Sequence, residues 1–401
     1  MSEWFFLLLP LAAASGWWAA LRSAQGTRSG GSPDPAYFRG LNYLLDDQPD
    51  KAIDVFVKLA EMDTDTAEVQ LALGALFRRR GEVDRAIRVH QGLMARNDLA
   101  KSLRSLALRE LAQDYMRAGL FDRAERLFEE LTEFRDHRRQ ALNCLLDIYQ
   151  QEKDWRRCLE TADRLQSMIG EPMGLSMAHY HCELAEEALR RGDDEGADAC
   201  LRAALAADSG CVRATLLQAR LALDRGEAER AILLYHRIGD QGPRFLPEIL
   251  PGLLEAFRGR PPSDMLEDLR ALYRDHADGA ILLALADAVE RVEGRQPAIR
   301  LLVDYVAGHA DLGAIERLLE LRELPVAAEG AEALEMLRTL GRVVKHLRSR
   351  QPRYRCDHCG FVARRLHWQC PGCKSWSSIL PVQPPVLAAL AESAVAPGGA
   401  G

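Results

Sequence analysis

The chain has 401 residues, a net charge of -7 and 48% hydrophobic residues, which is ordinary for a soluble protein. One compact core rarely serves so long a chain, so the length indicates several domains or a repeat architecture. The sequence has no phosphate-binding glycine loop, dinucleotide fingerprint, zinc-protease helix or serine-hydrolase elbow, and we predict that it is not an enzyme.

The first predicted element is a membrane anchor. Trp4 to Leu21 carries no charge, and eighteen helical residues reach about 27 Å, enough for a bilayer core. Only Glu3 precedes this run, whereas a cleaved signal peptide, the alternative, normally has Lys or Arg there. Arg22 and Arg28 follow it, which places the C-terminal side in the cytoplasm. We therefore predict a single-pass transmembrane helix at 1–22 and a flexible linker at 23–35.

Residues 36–345 repeat a helical pattern, most clearly in the segments 40–56, 74–90, 112–128 and 219–235. Each begins with a small residue, has an alanine twelve positions later and a large residue four further on, as in Gly40, Ala52 and Phe56. The first two segments start 34 residues apart, the period of the tetratricopeptide repeat. One such repeat cannot bury its apolar face alone, so we predict an all-α solenoid of six clear repeats and two or three degenerate ones.

Such arrays bind protein segments, and polar side chains on their helices are by default solvated. His179, His181 and Cys182 suggest a second metal site, but at this spacing they do not share a helix face, so none is expected. The five cysteines outside the C-terminal motif are scattered through apolar stretches, as buried thiols of a reducing compartment are.

A basic amphipathic helix is predicted at Ala331–Arg348. Its apolar stripe comprises Leu334, Leu337, Leu340, Val344 and Leu347. From Arg342 to Lys374, nine Lys or Arg against one acid give +8, so the rest of the chain carries -15 to reach -7. This basic run suits a solvated surface, a nucleic-acid site, a lipid-headgroup contact or a face for the acidic array, and we favour the last two. We predict that the C-terminal unit docks on the array through this charge, including Arg364 and Arg365.

Four cysteines make the most specific motif, Cys356-x-x-Cys359 followed by Cys370-x-x-Cys373. Two C-x-x-C turns form a tetrahedral thiolate cage for zinc or iron, and a closed cage of this kind is structural rather than catalytic. A disulfide pair or free thiols are the alternative. We assign residues 346–382 to this metal domain, with the nearby aromatic residues as its small core, and 383–401 to a disordered tail. Those aromatic residues are Tyr354, Phe361, Trp368 and Trp376.

The order of these parts resembles the lipopolysaccharide assembly protein B family of Gram-negative bacteria, over nearly the whole chain. The segments YFRGLNYLLDDQPDKAIDVFVKL (37–59) and YRCDHCGFVARRLHWQCPGCKSWSSI (354–379) carry the resemblance most specifically. It implies a rubredoxin-like C-terminal domain with its ligands at Cys356, Cys359, Cys370 and Cys373. Rubredoxin itself separates its two pairs much farther, so the family suggests iron while the ligands equally allow zinc.

The resemblance also implies a function: an inner-membrane adaptor, facing the cytoplasm, that helps the FtsH protease degrade LpxC, the enzyme of the committed step of lipid A synthesis. Its implied partners are FtsH, LpxC and other lipopolysaccharide synthesis or transport proteins, without nucleic acid, and a homodimer is left open. The residues alone predict a metal-braced, membrane-tethered scaffold that binds peptides. The alternatives are a general envelope-assembly scaffold without a proteolytic role and a nucleic-acid-binding zinc ribbon.

Overall fold

The computed structural model describes residues 35–45, 48–62, 67–322 and 331–382. The predicted anchor at 1–22, the predicted linker apart from Pro35, and the predicted tail at 383–401 lie outside these ranges. No helix in the described ranges is both long enough and apolar enough to cross a bilayer. The chain divides into two compact units, of which the first ends at Glu152 and the second begins at Lys153.

The first unit is built from helices that pack in consecutive pairs. They are α1 (Pro35–Leu45), α2 (Pro49–Met62), α3 (Ala67–Arg80), α4 (Val83–Met94), α5 (Lys101–Arg117), α6 (Phe121–Leu131) and α7 (Arg135–Glu152). The chain turns tightly between paired helices at Gly81 (φ 88°) and Gly119 (φ 73°), a backbone conformation that favours glycine.

The small and large residues of the repeat pattern meet inside each helix pair. Gly40 lies against Phe56, and a Cβ built on that glycine would come within 2.6 Å of the phenyl ring. Ala52 and its counterparts Ala86 and Ala124 are fully buried, as is Phe56. The small residues therefore allow the close helix approach that the repeat requires, and the predicted tetratricopeptide architecture is confirmed.

An ionic network lies between neighbouring repeats of the first unit. Arg78 on α3 donates to Asp114 Oδ1 (2.7 Å) and Glu110 Oε2 (2.5 Å) on α5, while His90 Nδ1 on α4 lies 2.5 Å from Asp114 Oδ2. His90 and Asp114 are fully buried. Burial acts to raise the pKa of Glu110, but hydrogen bonds from Arg78 and Arg109 hold it below its usual value. His90 thus fills the large-residue position of its repeat because a carboxylate satisfies its ring.

The second unit continues the helix pairs and ends in a small β-ribbon. Its helices are α8 (Trp155–Ile169), α9 (Gly174–Arg190), α10 (Asp194–Ala207), α11 (Val212–Asp224), α12 (Ala228–Gln241), α13 (Leu246–Ala256), α14 (Pro262–His276), α15 (Gly279–Glu293), α16 (Arg295–Val306), α17 (Leu312–Arg322) and α18 (Ala331–Arg350). A short 3-10 helix, Pro243–Phe245, precedes α13. Helices α9, α11, α13, α15 and α17 also contact one another in that order, and we call the surface they form the first-helix face.

The blurred sequence pattern after Pro243 does not interrupt the core, because α13 to α16 all contribute to one continuous cluster. Helix α13 packs on α12 and α15 rather than forming a close pair with α14. The last helix, α18, differs from expectation. Of its predicted stripe, Leu337 and Val344 are half-buried, whereas Leu340 and Leu347 are exposed. The predicted stripe is therefore covered only in part: α18 meets α17 with one face and leaves an apolar face open.

The ribbon holds three short antiparallel strands in the order β2-β1-β3: β1 (Tyr354–Cys356), β2 (Val362–Ala363) and β3 (Ile379–Pro381). Strand β1 pairs Tyr354 with Ala363 on one side and Cys356 with Ile379 on the other. Its own core is minimal: Cys356, Cys370 and Ile379 are buried. So small a core does not hold a domain together unaided, which makes a metal brace physically reasonable.

Candidate metal centre

The four sequence-predicted cysteines come together at one end of the ribbon. Their Sγ atoms all lie within 4.8 Å of one another, with 3.7 Å between Cys356 and Cys373 and 3.6 Å between Cys359 and Cys370. A disulfide would need about 2.05 Å. Thiolates ~2.3 Å from a tetrahedral ion lie ~3.8 Å apart, so the four sulfurs are positioned to bind one metal ion.

Two equivalent turns deliver these sulfurs. The Gly360 amide donates to the Cys356 carbonyl and the Lys374 amide donates to the Cys370 carbonyl, each at 2.9 Å. Gly360 has φ 77°, a left-handed conformation that favours glycine, while Lys374 takes the same region at φ 61°. The backbone therefore presents two sulfurs from each turn whatever the side chains between them.

Hydrogen bonds around the sulfurs favour the thiolate form at two positions, and at Cys356 the Ser378 hydroxyl lowers the pKa of the thiol. The side chain and amide of Ser375, together with His358, lower the pKa of the Cys373 thiol to about 5. At Cys359 the Phe361 amide acts in the same direction, but burial and the neighbouring sulfurs raise the pKa to about 12. Four adjacent thiols cannot all ionise without a compensating cation, and the donor set suits Zn or Fe.

The ribbon docks on the first-helix face mainly through aromatic rings. The Trp376 ring stacks on the His179 ring of α9, with centroids 4.7 Å apart and planes at 16°, and meets Tyr180 edge-on at 5.9 Å. Trp368 stacks on Phe245 at 5.5 Å. Docking of the metal unit on the repeats, predicted from charge, is thus confirmed, but rings carry it. The two tryptophans pack against the array and are not a core internal to the ribbon.

Polar contacts fix the register of this interface. Ser377 Oγ lies 2.7 Å from His179 Nε2, and the Tyr354 hydroxyl donates to Glu248 at 2.5 Å. An ion pair across this interface reverses the expected polarity, because Arg244 of the array meets Asp357 of the ribbon at 3.0 Å. Arg364 and Arg365, which the charge argument singled out, are both exposed.

His179 is the residue that sequence reasoning missed. It is 1% exposed, and burial together with the nearby Arg213 lowers its pKa to about 3, so its ring is neutral at physiological pH. The sequence suggested at most a metal ligand at this position. Its actual role is to receive the ribbon, and no local pattern in the sequence signals a partner so distant along the chain.

A groove of about 700 Å³ opens on the first-helix face beside the ribbon, and we call it the ribbon groove. Its apolar walls come from both parts of the unit: Leu216, Leu217 and Leu223 on α11, Tyr235 on α12, and Leu366 and Trp368 on the ribbon. Its charges balance, with Arg213, Arg220 and Arg258 set against Asp224, Glu248 and Glu255. An apolar cleft with balanced charge suits a polypeptide segment better than a polyanion.

Comparisons with known proteins agree with both parts of this architecture. A family profile described as a rubredoxin metal binding domain matches residues 354–381, and a tetratricopeptide repeat profile matches residues 182–243. A curated relative from Escherichia coli strain K12, named lipopolysaccharide assembly protein B, is 37% identical over 96% of this chain and 99% of its own. A relative of the same name from Haemophilus influenzae is 33% identical over 95% of this chain and 98% of its own.

Among solved structures, a tetratricopeptide repeat protein from Parabacteroides merdae is similar over 77% of this chain and 97% of that chain. Its identity is 12% and the TM-score is 0.29.

Proposed function

We propose that this chain, which belongs to the lipopolysaccharide assembly protein B family, is a membrane-tethered adaptor that regulates lipopolysaccharide synthesis by presenting LpxC to the FtsH protease. The family name supports a role in lipopolysaccharide assembly, and the repeat fold supports a role in binding proteins. The uncharged run at 4–21 supports a single-pass inner-membrane anchor with the bulk of the chain on the cytoplasmic side.

One observation carries this proposal: the ribbon docks where it becomes a wall of a peptide-sized groove. Trp368 contacts Phe245 of the array and also lines the ribbon groove. A client segment there would touch the array and the ribbon together. We propose that Cys356, Cys359, Cys370 and Cys373 hold one structural ion, iron or zinc, which keeps that wall in place and takes no part in chemistry.

The packing of the aromatic rings of the ribbon disfavours the nucleic-acid alternative. A zinc ribbon that binds bases needs free aromatic faces for stacking. Here the Trp376 ring is buried against the array and is not free for bases, while Trp368 already stacks on Phe245 with one part of its ring. A general envelope-assembly scaffold without a proteolytic role remains the second candidate, since the same groove would serve it.

The half-life of LpxC in cells separates the two candidates. With this protein present, LpxC should turn over in an FtsH-dependent manner, and deletion should lengthen its half-life several-fold. Arg220→Glu, an exposed substitution in the ribbon groove, should lengthen it as well, whereas Arg237→Glu, on the exposed face of α12 outside the groove lining, should not. An unchanged half-life of LpxC in the deletion strain would refute the adaptor function and favour the general assembly scaffold.

Topology is tested separately. A cysteine introduced at Ser29 should resist membrane-impermeant thiol reagents in intact spheroplasts and react after lysis. Removal of residues 1–22 should give a soluble, folded protein with lost regulation, because tethering supplies a high effective concentration near a membrane protease. Rapid labelling of the intact spheroplasts would place this side of the chain outside the cytoplasm.

A further inference from the structure

The last helix carries an apolar face that the fold leaves open. Met336, Leu340, Val343 and Leu347 are 63%, 48%, 51% and 49% exposed, and we call them the α18 stripe. Their spacing of four, three and four residues aligns them on one side of the helix. The end of a helical-repeat array normally presents a polar outer face, so this stripe calls for a partner.

Contacts with α17 fix the orientation of the stripe. Leu337 and Val344, on the neighbouring side of α18, are half-buried, and α18 packs on α17. Arg348 Nη1 forms an ion pair with Glu316 of α17 at 2.6 Å. The helix is therefore held on one side, and rotation that would bury the stripe against α17 would expose Leu337 and Val344 and break this pair.

The charge around the stripe is strongly positive. Helix α18 contains five Lys or Arg and two acids, a net +3, and the five cations are exposed: Arg338, Arg342, Lys345, Arg348 and Arg350. Glu335 lies 3.3 Å from Arg342, which leaves most of this charge uncompensated within the helix. Apolar residues beside an excess of Lys and Arg on one helix are the combination that binds anionic lipid surfaces.

We propose that α18 lies flat on an anionic membrane surface, with the α18 stripe among the lipid headgroups. The inference extends the proposed membrane placement, on which it rests, by adding a second and peripheral contact. A second copy of the chain fits the stripe less well. Four side chains about half exposed offer ~300–400 Å² per chain, whereas a stable interface needs ~800 Å² per partner. Surface binding needs no such area, because charge attraction contributes alongside the inserted side chains.

Photo-crosslinking in the full-length chain tests this placement. The photoreactive residue p-benzoylphenylalanine replaces Val343 in one variant and Leu233, an isolated leucine that is 72% exposed on α12, in a matched control. Both proteins are reconstituted into vesicles that contain phosphatidylglycerol or only phosphatidylcholine. Flotation reports vesicle association, and mass spectrometry identifies the adducts.

In phosphatidylglycerol vesicles we expect lipid adducts at 343 several-fold above those at 233. They should fall several-fold in phosphatidylcholine, and also when the salt is raised from ~0.05 M to ~0.5 M, because screening weakens headgroup attraction. Leu340→Gln with Leu347→Gln should lower the adducts at 343 while helicity and metal content stay unchanged. The neutral glutamines remove apolar contact and keep helix propensity.

Three outcomes would overturn the proposal. Chain-to-chain adducts at 343 would assign the stripe to a second copy. If the protein floats with vesicles but gives equal lipid adducts at positions 343 and 233, the α18 contact is refuted while the membrane anchor is supported. Failure of the protein to float with either vesicle would refute both the anchor and the α18 contact.

Discussion

Replacement of Trp376 by Ala is the sharpest test of how the ribbon is held. The Trp376 ring is 9% exposed, and it stacks on His179 while meeting Tyr180 edge-on. Truncation removes these ring contacts and leaves the four cysteines untouched. We expect the variant to keep its metal and its helical array but to release the ribbon from the first-helix face.

The expected loss of docking free energy follows from the area of the Trp376 ring that docking removes from water. A buried Trp covers about 150–250 Å², worth about 4–6 kcal/mol at ~25 cal/mol per Å². Part of this is regained when the ribbon settles into the space, so we expect a loss of about 3–5 kcal/mol, the range for buried Trp-to-Ala changes. Each 1.4 kcal/mol shifts the equilibrium between docked and detached ribbon tenfold, so the ribbon of the variant would be largely detached.

Hydrogen exchange followed by mass spectrometry on the full chain reads this out directly. Peptides from β3 and from α9 around His179 should exchange faster in Trp376→Ala. Phe361→Ala is the matched control: this ribbon side chain is 37% exposed, and the contacts that Phe361 makes through its backbone, its carbonyl with the Cys356 amide and its amide with the Cys359 thiol, are available to Ala as well. Wild-type protection in Trp376→Ala, with its metal content unchanged, would refute the idea that this ring carries the docking.

The remaining predictions concern the metal, pH and helix packing. Cys373→Ser should release the ion and unfold the ribbon while the far-ultraviolet circular dichroism of the helices stays nearly constant; elemental analysis showing full metal would contradict the ligand assignment. Burial and Arg213 lower the pKa of His179 to about 3, so docking excludes a proton that the free ring binds below its usual pKa of about 6.5. Protection of the ribbon from hydrogen exchange should therefore be full above pH ~6.5. As the pH drops towards ~5, the free energy of docking should weaken by up to ~1.4 kcal/mol per pH unit. His179→Gln should remove this pH dependence, and metal content is measured in the same samples. Gly74→Ala would drive a Cβ into the buried His90 ring and should destabilise the first unit by about 1–3 kcal/mol, whereas a Cβ at Gly92 meets nothing within 4 Å, and Gly92→Ala should stabilise it by about 0.5–1 kcal/mol in urea unfolding.

The repeat architecture was predictable because its determinants are periodic. Ala52 and Phe56 recur at fixed spacing along the chain, and the structure buries both completely. The cysteine cage was predictable for a related reason, since the spacing within each C-x-x-C turn dictates where two sulfurs point. Local spacing is what a single sequence displays most clearly, so features set by local spacing were the ones identified correctly.

Features set by contacts distant in sequence were not predictable. The stack of Trp376 on His179 joins residues far apart in the chain, and neither has a spacing that indicates the other. The ribbon docks as predicted, but not through the predicted charge: exposed side chains such as Arg364 and Arg365 gain little from ion pairing in water, whereas buried rings gain much. In α18, amphipathicity was evident, but which side would meet α17 depends on α17 itself.

The ionic network of the first unit has a consequence for how this array can evolve. Arrays of near-identical repeats gain or lose a copy by duplication or deletion, because every junction between copies is alike. Here the junction between α3 and α5 is individual: Arg78 needs Glu110 and Asp114, and Asp114 also needs His90. A copy inserted at that point would leave charged groups buried without partners, at a cost of several kcal/mol. The length of this part of the chain is thereby constrained, and change is expected by substitution within repeats rather than by their multiplication.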